Sequence, residues 1–208
     1  MFGRYAAFSS SLAWALIDRQ APAITLTRPA SGAVYAPGQA VAASYSCLDA
    51  GVGGGTCTGT VANGANINPA STGTKTFTVT ATDALGNLST ASVTYSVSYS
   101  FAGFIGISST GLNTVEAGDP VVFLFSLGGN RGSSIFAAGQ PTSLPINCTT
   151  RTVLGASSPT SGTLAYVPLT SLYGYRWNTT SAWKNTCRRF SMTLTDGTTH
   201  TADFRLTK

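Results

Sequence analysis

His200 is the only histidine, so any acid–base or metal chemistry that needs an imidazole would have to involve it. His200 and Asp203 lie three positions apart in an expected strand, so their side chains point to opposite faces and cannot share one proton or metal ion. Motifs for a catalytic serine, a zinc peptidase or a phosphate-binding loop are absent from the sequence. We therefore predict that His200 is an ordinary surface residue, that the chain is not an enzyme and that it carries no cofactor.

Carboxylates near turns are the second group that could do chemistry. Glu116 and Asp119 fall in one turn and give little support to a glycosidase pair. Asp49 and Asp83 lie beside turns and could bind calcium, which takes oxygen ligands, but two carboxylates are too few without main-chain oxygens. The sequence therefore predicts no metal site and leaves calcium binding open.

A cluster of aromatic residues is the strongest candidate for ligand binding. Tyr173, Tyr175 and Trp177, with Trp183 and Arg176, could form an aromatic surface that binds polysaccharide. The first three alternate along one strand and share one face. Such an apolar face more often belongs to the core, with Arg176 pointing outward. We favour the core and keep the polysaccharide site as the alternative.

Four cysteines fall two in each half, as Cys47 with Cys57 and Cys148 with Cys187. No CxxC spacing occurs, and one histidine cannot complete a zinc site. We predict two disulfides, one in each half. Disulfides form in oxidising compartments, so the sequence indicates an extracellular or cell-surface protein.

The composition limits the fold class and the partners. Only 9% of the 208 residues are charged and 43% are hydrophobic, whereas about a quarter of residues are charged in typical domains. The net charge of +5 comes from scattered basic residues, which argues against nucleic acid. No apolar run reaches the ~20 residues of a membrane span. The abundance of Thr and Ser over helix-forming residues predicts an all-β chain.

Short alternating runs separated by turn residues predict β-sandwiches. In the first half these runs are residues 23–27, 41–47, 55–62, 75–82 and 90–98. In the second half a hairpin turned at Asp196-Gly197 places Phe190, Met192 and Leu194 on the same face as Ala202, Phe204 and Leu206. We predict an N-terminal arm or signal-like segment (1–20) and two tandem Ig-like sandwiches (21–99 and 100–208), with the boundary near residues 99–103.

Residues 21–99 resemble a known family. The matching pieces are Tyr45 to Asp49, the glycine-rich loop to Cys57, Gly73 to Lys75, Phe77 to Asp83, and Gly86-Asn87. They resemble the Ig-like HYR-type repeats of large bacterial secreted and surface proteins. The resemblance implies a module that acts as a spacer or adhesive unit.

Residues 100–208 resemble a second bacterial module, the PxKF-type C-terminal domain. The matching pieces are Glu116 to Gly118, Phe125 to Asn130, Phe136 to Gly139, Cys148, Tyr175 to Trp177, Trp183, Cys187 to Arg189 and Thr195 to Thr198. At the signature itself the chain has Val122-Phe123-Leu124-Phe125 in place of Pro-x-Lys-Phe.

The first 20 residues carry an apolar face formed by Phe8, Leu12, Trp14 and Leu16. Such an arm needs a larger apolar surface to cover it, which a neighbouring subunit or an open sheet edge of its own domain could supply. We favour the neighbour, with identical subunits or other surface proteins as the expected partners. The leading expectation is a non-enzymatic extracellular or cell-surface module for structure or adhesion. The alternatives are a polysaccharide-binding accessory module and a subunit of a repeating assembly, such as an appendage or a virion decoration.

Overall fold

A computed structural model describes residues 18–51 and 54–208, and within these residues the chain is all-β with one short 3-10 helix at Ser181–Trp183. No helix of this described part has the length and hydropathy of a membrane span. The proposed arm contact through Phe8, Leu12, Trp14 and Leu16 lies outside the described residues.

The strands of the first half are β1 (Ala23–Arg28), β2 (Val34–Tyr35), β3 (Ser44–Leu48), β4 (Thr56–Gly59), β5 (Gly73–Thr82) and β6 (Leu88–Val97). Those of the second half are β7 (Leu112–Glu116), β8 (Pro120–Phe125), β9 (Thr142–Ile146), β10 (Ser158–Pro159), β11 (Ser161–Val167), β12 (Leu172–Asn178), β13 (Thr186–Thr193) and β14 (Thr199–Thr207).

In the first half, two sheets enclose one core. Strands β1 and β3 pair antiparallel, and the second sheet has the order β2-β6-β5-β4, with β2 parallel to β6. The core takes Tyr45 from the first sheet and Phe77, Val79 and Tyr95 from the second. Along β5, Phe77, Val79 and Ala81 are buried while the threonines between them are not, which confirms the predicted alternation.

The second half repeats this plan with longer sheets. One sheet has the order β10-β9-β13-β14-β7 with β7 parallel to β14, and the other has the order β11-β12-β8. The predicted hairpin is confirmed: β13 and β14 pair around Asp196-Gly197, and Gly197 has a φ of +85°, which favours glycine. Phe190 and Phe204 from this hairpin pack against Phe123 and Trp177 from the other sheet.

Both halves are Ig-like sandwiches arranged in tandem. In the first half β1 pairs antiparallel with β3, and β2 pairs parallel with the last strand, β6. In the second half Ile105 forms an antiparallel bridge to β8, and β7 pairs parallel with the last strand, β14. Two mainly antiparallel sheets packed around one core are typical of the Ig-like arrangement. The two cores share no residue.

Two strand boundaries in the first half differ from the expectation. The strand expected at residues 41–47 begins at Ser44, because the main chain of Val41 and Ala43 bonds to residues Ala65 and Ile67 instead. The strand expected at residues 55–62 ends at Gly59. The two-residue strand β2 is too short to leave an alternating pattern and was not anticipated.

Candidate functional site

The three aromatic residues of β12 form the centre of the second core. Trp177 is fully buried, and Tyr173 and Tyr175 are 1% and 3% exposed. Burial raises the pKa of both tyrosines. The Tyr173 hydroxyl accepts a hydrogen bond from Arg131 N, and the Tyr175 hydroxyl bonds to Thr160 Oγ1 at 2.6 Å. These rings have no face free for a sugar.

Trp183 is half-buried and covers one end of that core. Its ring lies 5.9 Å from the Trp177 ring, and the Arg188 guanidinium lies 4.0 Å above its centroid. Arg188 is itself buried, and its Nε and Nη2 donate to Ser143 Oγ at 3.3 and 3.2 Å. Burial lowers the pKa of Arg188. The stacked pair supports the packing of the sandwich end.

Arg176 is exposed and points away from the aromatic face, as its place in the alternation predicted. The five residues of the polysaccharide alternative therefore divide among the core, the end of the sandwich and the opposite sheet face. They form no single binding surface in the described structure.

His200 is half-buried and not a plain surface residue, which corrects the sequence interpretation. It faces Met192 across the hairpin, on the apolar side, and its ring stacks on Phe101 with centroids 3.6 Å apart. Its Nε2 lies 3.0 Å from Thr198 Oγ1. Burial lowers the pKa of His200, and the nearby Asp196 carboxylate opposes this effect. Asp203 instead forms a two-point ion pair with Arg189, at 2.7 and 2.9 Å.

The segment between the two cores is bonded to the β13–β14 turn. Tyr99 N donates to Asp196 Oδ2 at 2.7 Å, and the Tyr99 hydroxyl lies 2.9 Å from Thr195 Oγ1. Thr72 Oγ1 donates to Thr195 O at 3.1 Å from the first half. Thr72, Tyr99 and Arg131 line one cleft of about 470 Å³. Arg131 Nη1 donates to Pro37 O at 3.2 Å. Four hydrogen bonds thus connect the first half and its following segment to the second half.

Three carboxylates meet at the opposite end of the first sandwich. Asp18 precedes β1, Asp49 follows β3 and Asp83 follows β5, so three separate strands deliver them to one place. One oxygen from each lies within 4.8 Å of the other two. The sequence interpretation considered only Asp49 and Asp83. It missed Asp18 because nothing in the local sequence shows that residue 18 lies beside the ends of β3 and β5.

Asp83 accepts the largest number of hydrogen bonds among these three carboxylates. Asp83 Oδ1 accepts from Leu85 N and Asn87 N, and its Oδ2 accepts from Asn87 Nδ2 at 2.7 Å. The side-chain bond from Asn87 is the main reason that the pKa of Asp83 is lowered. Asn87 Nδ2 also donates to Asp18 O. Asp83 is therefore ionised at neutral pH.

Asp49 has one oxygen without a partner in the described residues. Its Oδ1 accepts from Gly51 N, whereas its Oδ2 is buried and accepts no hydrogen bond. Two like charges about 5 Å apart repel by roughly 3 kcal/mol at an effective dielectric constant near 20. Main-chain N–H groups donate to the other two carboxylates as well, Gln20 N to Asp18 Oδ1 at 2.9 Å and Gly51 N to Asp49 Oδ1 at 3.1 Å.

Both predicted disulfides are present: Cys47–Cys57 in the first half and Cys148–Cys187 in the second. Cys47 lies on β3 and Cys57 on β4, so the first disulfide closes the glycine-rich loop that follows Asp49. The pairing supports an oxidising compartment.

No protein-family model and no curated protein matches this chain. Among solved structures it is similar to a chimeric titin Z1Z2 carrying a decorin peptide, at 16% identity over 91% of this chain and 99% of the other, with a TM-score of 0.27. A Bacteroides ovatus mixed-linkage glucan utilization protein, SGBP-B, solved with a heptasaccharide, shares 11% identity over 91% and 48%, with a TM-score of 0.25. The insect immune protein hemolin shares 9% identity over 96% and 48%, with a TM-score of 0.27. The chain spans about half the length of SGBP-B and of hemolin. Because all these TM-scores are low, we assign the fold from the strand order of the chain itself.

Proposed function

We propose that this protein is a non-enzymatic module of the extracellular space or cell surface, in which two Ig-like units act as a spacer of fixed geometry. The units are residues 21–99 and 100–208, resembling an HYR-type repeat and a PxKF-type domain. The observation that carries the proposal is the bonded connection between the halves. A spacer must hold its units at one angle, and the four hydrogen bonds between the halves support such a fixed angle.

The candidate residues for chemistry support the same conclusion. The ring of His200 is stacked on Phe101, Asp203 is paired with Arg189, and the β12 aromatics fill the core. A catalytic site needs a base or nucleophile that a substrate can reach. Within the described residues, these side chains are engaged in holding the fold.

Residual dipolar couplings from weakly aligned protein test the spacer proposal, because they report the orientation of each half separately. The wild type should give one alignment tensor for both halves. The double variant Thr72→Val/Tyr99→Phe removes two side-chain hydrogen bonds at the connection, and it should give two distinct tensors. The control is Tyr166→Phe, since the Tyr166 hydroxyl forms no hydrogen bond with the described residues. Separate tensors in the wild type would refute a fixed geometry.

Polysaccharide binding remains the alternative proposal, and it now depends on the half-buried Trp183 and the exposed Arg176, because Tyr173, Tyr175 and Trp177 are buried in the core. A screen of the native protein against immobilised glycans tests it. If a glycan binds, and Trp183→Ala with Arg176→Ala abolishes the binding while the fold is retained, the binding-module alternative replaces the spacer proposal.

A further inference from the structure

We propose that the free edge of β11 (Ser161–Val167) binds residues 8–16 of a second copy of the chain as an added strand. The inference goes beyond the spacer proposal, because it concerns how copies of the chain associate and not the angle between the two halves. It assigns the surface that receives the N-terminal arm, which the sequence alone did not identify.

β11 is the longest strand at a sheet edge in the described part of the chain. It has seven residues, pairs with β12 alone and keeps one continuous register with β12 from Ser161 to Val167. It contains no charged residue and no proline. Native proteins protect exposed edges with charges, proline, β-bulges or very short strands, because an unpaired edge binds other strands. β11 has none of these protections.

The other edge strands of the described residues are shorter, and each has a feature that limits further pairing. β2, β4 and β10 have at most four residues, and β1 contains a register shift. β7 ends at the charged Glu116. In β8, Leu124 O already accepts a hydrogen bond from Ile105 N, and in β3, Tyr45 N donates to Asn63 Oδ1. β11 is therefore the edge most open to a further strand.

A cavity beside this edge can take one side chain of an added strand. Its volume is about 210 Å³, and it lies between β11 and the loop that follows β8. Its lining includes Leu164 and Tyr166 of β11, Tyr173 of β12, and Asn130 and Gly132 of the loop. Leu164 and Tyr166 are half-buried and pack against the second core. An apolar cavity of ~150 Å³ holds a benzene ring, so this cavity has room for an apolar side chain.

Residues 8–16 have the pattern that such an edge accepts. Their four large apolar side chains all occupy even positions, so an extended backbone places them on one face. These residues are Phe8, Leu12, Trp14 and Leu16, and the residues between them are serine and alanine. In strand addition the main chain supplies hydrogen bonds, and alternate side chains enter pockets on one face of the sheet. The apolar face of residues 8–16 then extends the second core at the cavity.

The arm joins the first sandwich at the end that is remote from the second half. Asn87 Nδ2 donates a hydrogen bond to Asp18 O at 3.0 Å, so Asp18 lies beside the start of β6. The ten residues of β6 (Leu88–Val97) lead from this end to the connecting segment. A strand rises about 3.4 Å per residue, so the two ends of β6 are about 30 Å apart.

The cavity lies near the other end of β6. Asn130 lines both the cavity and the cleft between the halves. That cleft also contains Thr72, which directly precedes β5, and β5 begins opposite the last residue of β6. Leu12 is six positions before Asp18, and an extended chain spans at most about 3.6 Å per residue, which gives about 22 Å. Residues 12–16 therefore cannot reach the cavity of their own chain, and a second copy must receive them.

Hydrogen exchange of the full chain locates the contact. The comparison is the arm-serine variant, a full-length chain with Phe8, Leu12, Trp14 and Leu16 replaced by serine. In the assembled wild type, the amides of β11 that face away from β12 should exchange at least about tenfold more slowly than in this variant. The amides of β7, another edge strand of the second half, should exchange equally in both proteins. Equal exchange of β11 in the two proteins would show that the arm does not bind this edge.

An edge variant removes the receiving surface and keeps the arm. Thr163→Lys/Ala165→Lys places two charges at exposed positions of β11, so the fold should be retained. Ala23→Lys/Thr25→Lys makes the same two substitutions at exposed positions of β1 and serves as the control. Light scattering over a concentration series should show self-association weakened at least about tenfold by the β11 substitutions and unchanged by those in β1. A wild type that stays monomeric, or a β11 variant that associates like the wild type, overturns the proposal.

Mixing the two variants tests whether the contact forms between copies. The arm-serine variant keeps a free edge, and the β11 lysine variant keeps an intact arm. Neither alone should associate like the wild type, whereas their equimolar mixture should form hetero-assemblies that native mass spectrometry detects. A mixture without hetero-assemblies would place the arm within its own chain. Continued assembly of the arm-serine variant alone would indicate pairing of β11 with β11, and either result contradicts the proposal.

Discussion

The imidazole of His200 lies nearly parallel to the ring of Phe101, with the ring centroids 3.6 Å apart and an interplanar angle of 20°. Phe101 belongs to the segment that connects the two sandwiches, and His200 belongs to the last strand of the second one. The stack therefore fixes the connecting segment against the second core, beside the bond from Tyr99 N to Asp196.

This stack makes stability depend on pH in a defined direction. Burial lowers the pKa of His200 below its ordinary value of 6.5, so the unfolded chain binds a proton at a higher pH than the folded chain does. The contribution of neutral His200 to the free energy of unfolding is therefore complete above about pH 6.5. It declines as the pH falls toward the pKa that His200 has in the folded protein. We expect the Tm of the wild type to fall between pH 7.5 and pH 5.5, as measured by circular dichroism.

His200→Phe provides the comparison for that measurement, because it keeps the stacked ring and removes the titration. Carboxylates titrate in both proteins, so the difference between the two pH curves isolates His200. We expect the curves to diverge as the pH falls below about 6.5, with the variant less sensitive to acid. Parallel curves would show that His200 has the same pKa in the folded and unfolded chains.

Neighbouring positions of β12 should respond very differently to truncation. Trp177 is fully buried and contacts Phe123, Phe190 and Phe204. Trp177→Ala should lower the free energy of unfolding by about 3–5 kcal/mol, because it removes a large core side chain and leaves a cavity. Arg176→Ala should change it by less than about 0.5 kcal/mol, since that side chain is exposed. Urea unfolding followed by circular dichroism measures both, and similar losses would contradict the assigned faces.

The alternation of β12 illustrates what the sequence alone can predict. Period-two patterns such as those of β5, β12 and the β13–β14 hairpin depend only on neighbouring residues, so the buried faces followed directly from them. The pairing of the cysteines followed from their division between the halves. The parallel pairing of β2 with β6 and of β7 with β14, and the exact strand ends, depend on distant segments, and no local pattern specifies them.

His200 and Asp18 show the same limit at the level of single side chains. His200 lies on the same face of β14 as Ala202 and Phe204, and the period-two pattern of the sequence places it on that apolar face. The sequence could not show that Phe101 covers it. Asp18 stands outside every strand, and only the assembled sandwich brings it to Asp49 and Asp83.

The two disulfides should stabilise the protein to different extents. Cys47 and Cys57 are 10 positions apart, and Cys148 and Cys187 are 39 positions apart. In the chain-entropy model, loops of these lengths correspond to about 3 and 4 kcal/mol. We expect Cys148→Ser/Cys187→Ser to lower the free energy of unfolding more than Cys47→Ser/Cys57→Ser does.

Tryptophan fluorescence in a Trp14→Phe background adds a control to this comparison, because the two remaining tryptophans, Trp177 and Trp183, both lie in the second half. The fluorescence transition should move in the Cys148→Ser/Cys187→Ser variant, whereas the first-half variant should affect mainly the circular dichroism signal. Peptide mapping of the wild type under non-reducing conditions should recover both bonds. A bond between the halves would contradict the pairing and the proposed domain boundary together.

The N-terminal arm is the remaining prediction, and it concerns residues outside the described part of the chain. Phe8, Leu12, Trp14 and Leu16 could remove several hundred Å² of apolar surface from water, and ~300 Å² corresponds to roughly 7 kcal/mol at ~25 cal/mol per Å². Ordering the backbone costs about 1–2 kcal/mol per residue. An arm without a core therefore needs another apolar surface, and we propose that an identical subunit provides it.

Removing residues 1–17 should lower the mass of the native particle, measured by light scattering at equal protein concentrations. Asp18 is kept in this variant because it belongs to the carboxylate cluster, so any change cannot be assigned to loss of that cluster. A full-length variant with Phe8, Leu12, Trp14 and Leu16 replaced by serine should behave like the truncation, since the assembly depends on apolar surface and not on chain length. If the native, truncated and serine-substituted proteins all contain the same number of subunits, calculated from particle mass and chain mass, the arm does not join subunits, and the assembly hypothesis fails.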